Sequence, residues 1–290
     1  MSKVAQEVTD RIMAALESGI VPWRRPWAVE GLVPTSLQTG KPYQGINVML
    51  LSLHMMTNPE YTQNLWVTYK QAQALGGNVR KGEKSVGVMF WSKVTPKDKD
   101  NTNAKDFMMA RGFNVFNVAQ CENLEIPEKF TVKREMQWTP SEGLERIVDS
   151  YAGAPSISHQ AQGRAYYDPI ADSITMPPRE AFDTLSGYAE TILHEMTHST
   201  GHASRLDRFK GDDKPHGFGS RPYAREELVA EIGAMMLMSH AGIEPEIDNG
   251  AAYIASWLKA LDGDKSLVIT AAARAQKAVN HILGSSSSEE

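Results

Sequence analysis

A single cysteine, Cys121, stands in a chain of 290 residues. One thiol excludes a disulfide framework and a cysteine-built zinc site, and it points to a reducing compartment. Apolar runs are short: "VMLLSL" and "IGAMMLM" fall well below the ~20 residues that cross a bilayer. The opening stretch "MSKVAQEVTDRIMAAL" has acids and polar residues where a secretory signal needs an apolar centre. A cytoplasmic protein with no membrane partner is the expectation. Internal repeats are lacking as well, which excludes a solenoid. What is present, 41% hydrophobic and 22% charged residues, is the make-up of a soluble globular protein. The length suffices for about two domains of ~100–200 residues.

The formal net charge of -5 conceals a division. Residues 1 to 118 hold 14 Lys and Arg against 9 Asp and Glu, while the remainder holds 16 against 26. Opposite signs suggest two domains with different partners. In the first, "QEVTDRIMAALESG" repeats apolar residues at helical spacing, and "YQGINVMLLSLHMM" predicts a second, deeply buried helix. "LWVTYKQAQALGG" predicts a short strand running into a helix. "VRKGEKSVGVMFWSKV" and "FMMARGFNVFNVAQ" predict antiparallel strands on either side of a polar hairpin tip, "DKDNTNAKD". Residues 119 to 140 have no strong period and read as a connection. Beyond it Thr139 or Ser141 caps a helix, "GRAYYDPIADSITMPP" predicts two short strands about a turn, and helices fill the rest. The expected fold is α+β. A small α+β domain covers 1–130, a mainly helical domain with a small sheet covers 140–284, and 285–290 form a disordered tail.

The most specific pattern lies in "TILHEMTHSTGHASRLD", where His194, Glu195 and His198 form His-Glu-x-x-His. Residues four apart share a helix face, so both imidazoles can reach one metal. Glu195 is placed to take a proton from a water that the metal acidifies, as in zinc-dependent peptidases. Zinc is the expected ion and Mn2+ the alternative. A catalytic zinc usually has three protein ligands. His202 continues the spacing, but on an unbroken helix it rises ~12 Å from His194, and only a break at Gly201 could turn it back. The metzincin pattern wants its third histidine later, where this chain has Ser204. The helix "REELVAEIGAMM" offers Glu227 and Glu231 on one face, beside a core of Leu228, Ile232, Met235 and Met236. A carboxylate there is costly unless paired or bound to metal. Glu227 is the expected third ligand and Glu231 the group that orients a ligand histidine; Glu226 is expected to face solvent. His216 and Tyr223 are candidates for donors that steady transition-state charge.

Four of the six tryptophans fall in residues 1 to 118. "PWRRPW" interleaves Trp23 and Trp27 with Arg24 and Arg25, and "NVRKGEKS" adds Arg80, Lys81 and Lys84. Aromatic platforms among cations suit single-stranded nucleic acid, since bases stack and phosphates pair. Tyr43 and Asn47 are counted with these as expected DNA contacts.

Together, "LESGIVPWRRPW", "GKPYQGINVMLLSL", "LWVTYKQAQALGGNVRKGEKSVGVMFW" and "HEMTHSTGHASRLDR…YAREELVAEIGA" resemble the ArdC-type antirestriction proteins of conjugative plasmids, over nearly the whole chain. The resemblance implies an N-terminal domain that binds single-stranded DNA, similar to one in plasmid primases of the TraC type. It implies a C-terminal zincin-like metalloprotease domain with its motif at His194, Glu195 and His198, and protection of incoming plasmid DNA from host restriction. It leaves open whether the second domain cleaves a host restriction enzyme or other protein, or keeps its metal for structure. "EELVAEIGAMMLM" also resembles the ligand helix of IrrE-like peptidases, which again points to Glu227.

Overall fold

The computed structural model describes residues 3–23, 33–58, 60–94, 107–131, 139–210, 221–246 and 251–285. Arg24, Arg25, Trp27, His216, the hairpin tip 98–106 and residues 286–290 of the expected tail lie outside the described residues.

Helix α1 (Lys3–Glu17) sets Ala5, Val8, Ile12 and Leu16 on one buried stripe. Strand β1 (Thr35–Ser36) precedes α2 (Ile46–Thr57), which is apolar nearly all round and buried accordingly. Strand β2 (Leu65–Val67) runs into α3 (Tyr69–Ala74) through a capping box in which Thr68 and Gln71 each accept the other's backbone N–H. Strand β3 (Asn78–Val79) leads to a long ribbon of β4 (Val86–Val94) and β5 (Phe107–Asn117), antiparallel from Val86↔Val115 to Val94↔Phe107. The sheet order is β1-β2-β5-β4. Where the sequence predicts only antiparallel strands, β1 and β2 are parallel, because the chain between them crosses over through buried α2. Strand β6 (Cys121–Glu122) pairs back onto β3 before α4 (Glu128–Thr131), so the apparent connection starts as part of the first unit.

Helix α5 (Pro140–Ser150) starts at Thr139, whose hydroxyl accepts from the Glu142 amide, with Pro140 in the first turn. A three-stranded sheet in the order β7-β9-β8 follows, from β7 (Ser156–His159), β8 (Tyr166–Asp168) and β9 (Ser173–Met176). The sequence does not announce β7: with Ile157 its one apolar residue, it has too little alternation to read as a strand. Helices α6 (Leu185–Ser199), α7 (Arg221–Ala241), α8 (Ala251–Gly263) and α9 (Leu267–Ile282) complete the fold, with α7 packed between α6 and α9.

The largest core cluster runs across the two halves. It joins Val8, Ile12 and Leu16 of α1 to Leu261 of α8 and Val268 and Ala272 of α9. Trp23 belongs to this cluster. It is 1% exposed, meets Trp257 edge-on with centroids 5.8 Å apart, and donates its indole N–H to Glu231 Oε2 at 3.1 Å. It is a core residue, not a platform for bases. Tyr43 is buried in a second cluster with Leu51, Met55 and Trp66. Asn47, also buried, donates to the Met89 carbonyl at 2.7 Å and accepts from the Met89 N–H at 2.8 Å, so its amide is used up along the edge of β4. Burial removes all three from the expected DNA-contacting set. Arg80 is exposed but tied to Glu83 and to the Ala119 carbonyl, while Lys81 and Lys84 are exposed. Among the described residues no helix is long and apolar enough to cross a membrane.

Candidate metal centre

Helix α6 begins where the Thr184 hydroxyl accepts from the Gly187 N–H at 3.0 Å, and it buries Ile192, Leu193 and Met196. The opposite part of its surface carries His194 and His198, whose Nε2 atoms are 3.0 Å apart. From α7, Glu227 brings Oε2 to 3.5 Å from His194 Nε2 and Oε1 to 3.6 Å from His198 Nε2. These ligand atoms lie within 4.8 Å of one another, and no other such group of His, Cys, Asp and Glu occurs among the described residues. Ligands held ~2.0–2.1 Å from a tetrahedral metal sit about 3.3 Å from each other, so the donor set fits a divalent ion. Two imidazole nitrogens facing each other beside a carboxylate need a proton or a cation between them. His202, Cys121 and Glu195 are not members of the group.

The two helices can come this close because of Gly233. A Cβ there would approach Thr197 Cγ2 to 2.5 Å. Thr197 immediately precedes His198, so the glycine sets the distance between the ligand helix and the histidine pair.

A buried carboxylate stands behind His198. Glu226 Oε1 is 3.3 Å from His198 Nδ1, and Arg208 holds the same carboxylate through Nη2 at 2.6 Å and Nε at 3.2 Å. Glu226 is 6% exposed, which corrects the expectation that it faces solvent. The reason is its stripe: Glu226 shares a helix face with Val229, Gly233 and Leu237, all turned inward. Burial works against its charge, yet His198 and Arg208 outweigh it and hold the carboxyl below the usual carboxylate range. Glu226 thus takes the imidazole-orienting place expected of Glu231. Glu231 accepts from Trp23, and its charge is felt at His194. The sequence offered a signal for Glu226 in that inward stripe; the partner Arg208, from a loop, gave none.

At His194, burial opposes the imidazolium, but the hydrogen bond with Glu227 and the charge of Glu195 raise its pKa overall. Burial likewise opposes the Glu227 carboxylate, and His194, His198 and the Tyr223 hydroxyl outweigh it and lower its pKa. Burial, then the Glu227 charge, push the Tyr223 hydroxyl up to about 12, so it stays protonated with its hydrogen bond to Glu227. Tyr223 is therefore at the centre, as a donor. Glu195 accepts from the Tyr167 N–H at 2.8 Å, on β8, an edge strand of its sheet. Helix α6 ends at Ser199, and Gly201 packs against the Phe209 ring. The chain does break where His202 could turn back, but His202 turns away, with Nδ1 at 2.7 Å from Ser204 Oγ.

Comparison with known proteins matches both halves. Residues 2–116 fit the family model of the N-terminal domain of anti-restriction factor ArdC, and residues 143–274 that of a zincin-like metallopeptidase. The chain is 37% identical over 295 residues to the DNA primase TraC of Escherichia coli, covering 95% of this chain and 19% of that protein. It thus spans about a fifth of that relative's length. The metal-free crystal structure of antirestriction ArdC protein from R388 plasmid has a TM-score of 0.79 at 39% identity, over 97% of each chain. The Mn(II)-bound structure of that protein gives 0.78 at 37%, over 100% of each chain. With this extent of likeness, and both family models in the same order, the chain belongs to the ArdC antirestriction family, with a zincin-like domain in its second half.

Proposed function

We propose that this protein binds single-stranded DNA and protects incoming conjugative plasmid DNA from host restriction, acting in the cytoplasm. In this reading residues 1–130 bind the strand and residues 140–284 hold a divalent metal through His194, His198 and Glu227. The observation that carries it is the metal-ready spacing of those three side chains in a chain similar end to end to an antirestriction protein that has been solved with Mn(II). Zinc is the ion the donor set favours, two imidazoles and one carboxylate; Mn2+ is the rival. A bound divalent ion would polarise a carbonyl and acidify a water. Glu195 would hold the proton at its carboxylate, aimed by the Tyr167 N–H, and the Tyr223 hydroxyl would donate toward developing negative charge. Glu226, braced by Arg208, would keep His198 in register. The test is conjugation into restricting and non-restricting recipients, with and without the protein. Equal transfer into the restricting strain in both cases would sink the proposal.

Glu195 beside the metal-ready set, oriented by an edge strand, favours a second reading, a metallopeptidase that cleaves a host protein while the first half targets it to DNA. Glu195→Ala separates the two. Antirestriction that survives this change does not work by peptide hydrolysis.

A further inference from the structure

Cross-strand partners on an antiparallel pair share a face, so Val86, Val88, Phe90 and Ser92 of β4 lie on one side with Val115, Phe113, Arg111 and Met109 of β5. Half of that side is a core surface: Val86, Val88 and Val115 pack with Tyr43, Leu51 and Met55. The other half stands in water. Phe90 is 40% exposed, Phe113 45% and Met109 37%. The rings form a row, with Tyr43 and Phe90 centroids 6.1 Å apart and Phe90 and Phe113 5.5 Å apart, edge to face. Arg111 is in register with Phe90, is exposed, and makes no ion pair among the described residues. A water-facing sheet surface is ordinarily polar, and apolar groups gathered on one mark a binding surface.

We infer that this half of the β4–β5 ribbon is the stacking surface for single-stranded nucleic acid, with Phe90 and Phe113 as the base platforms and Arg111 pairing with the backbone. The inference rests on the DNA-binding reading proposed above and gives it a location, in place of Trp23, Tyr43 and Asn47, which are buried. Charge decides the occupant. The surface lies in the segment whose Lys and Arg outnumber its Asp and Glu by 14 to 9, and its central cation is exposed and has no carboxylate partner among the described residues, which suits a polyanion. Every base has a π-face, so two phenyl rings with a guanidinium opposite take a strand without reading its sequence.

The full chain is titrated with a fluorescent oligothymidylate of about 20 nucleotides, followed by anisotropy at several salt concentrations. Phe90→Ala and Phe113→Ala should each weaken binding about 5- to 150-fold, which is ~1–3 kcal/mol per stacked base, and leave the salt dependence as it was. Arg111→Ala should weaken binding and reduce the slope of log affinity against log salt by about 0.7. Tyr69→Ala, at an exposed aromatic on α3 that is not part of the β4–β5 ribbon, should bind as the parent does. If alanine at 90 and 113 disturbs folding, Phe90→Leu with Phe113→Leu keeps apolar bulk while removing both π-faces, and the loss should persist. A parent chain that binds while the leucine pair binds equally well would overturn this surface. It would then be a protein-docking patch, and the DNA-binding reading would stand. A parent chain that does not bind at all would overturn that reading itself.

Discussion

Around His198 the charged groups are buried and paired, whereas on the ribbon of β4 and β5 apolar rings stand in water. Glu226 and Arg208 are 6% and 9% exposed; Phe90 and Phe113 are 40% and 45% exposed. Each arrangement is costly by itself, and each marks a place where something other than fold stability has set the residue. The buried charges form a closed network, in which Thr197, His198, Arg208 and Glu226 satisfy one another across α6, α7 and a loop. The exposed rings form an open row, packed edge to face on each other with their outer sides turned outward. Substitution should therefore behave differently in the two regions. The metal half should lose stability and metal, and the ribbon should keep its fold.

The largest effect should come from the ligand set. Glu227→Ala leaves two imidazoles with no carboxylate, and elemental analysis of the purified protein should find the divalent metal lost; full retention would break the assignment of the third ligand. Next is Glu226→Ala, which strands a buried guanidinium. Removing one partner of a buried pair costs about 3–5 kcal/mol, read by denaturant unfolding, and Glu226→Gln should cost less because it still accepts from Arg208. Gly233→Ala forces a methyl group against Thr197, and overpacking of this kind costs about 1–3 kcal/mol. Thr197→Ala in the same chain should recover part of the loss and part of the metal affinity. A smaller loss, about 1 kcal/mol, is expected for Trp23→Phe, which keeps the ring but drops the bond to Glu231. The smallest is His202→Ala. It should leave metal content untouched and stability within about 0.5 kcal/mol, and a drop in metal content there would redraw the centre.

The convergence of His194, His198 and Glu227 was legible because metal-ligand chemistry is written in short-range spacing. His194 and His198 need only one helix to meet, and Glu227 could be picked from a carboxylate that borders an apolar stripe. Its second layer was less legible. Glu226 sits next to Glu227 on an inward stripe with Val229 and Leu237, but that stripe does not say which element its carboxylate will meet; the close approach of Gly233 to Thr197 sets how α7 faces the histidines. Arg208 reaches Glu226 from 18 residues away in the sequence, a meeting that only the tertiary fold arranges. In the first half, the helices and the β4–β5 ribbon followed from periodicity, but the parallel pairing of β1 with β2 did not, because strands of two and three residues carry no period. The aromatic count misled for a related reason. Trp23 and Phe90 look alike to composition; one lies beneath a helix bundle and the other on a sheet face, and which is which depends on the opposite half of the chain.

That placement of Trp23 bears on how the molecule can be divided. Its socket is made by Trp257 and Glu231, far along the chain, while α1 lies on α8 and α9. A fragment beginning at Thr139 would carry His194, His198 and Glu227 yet leave bare the faces of α8 and α9 that α1 covers, with Glu231, one turn from Glu227, deprived of its indole. The seam visible in the sequence is therefore not the seam along which the protein would come apart whole. An isolated second half would lack α1 and Trp23, and also α2, which packs on α9.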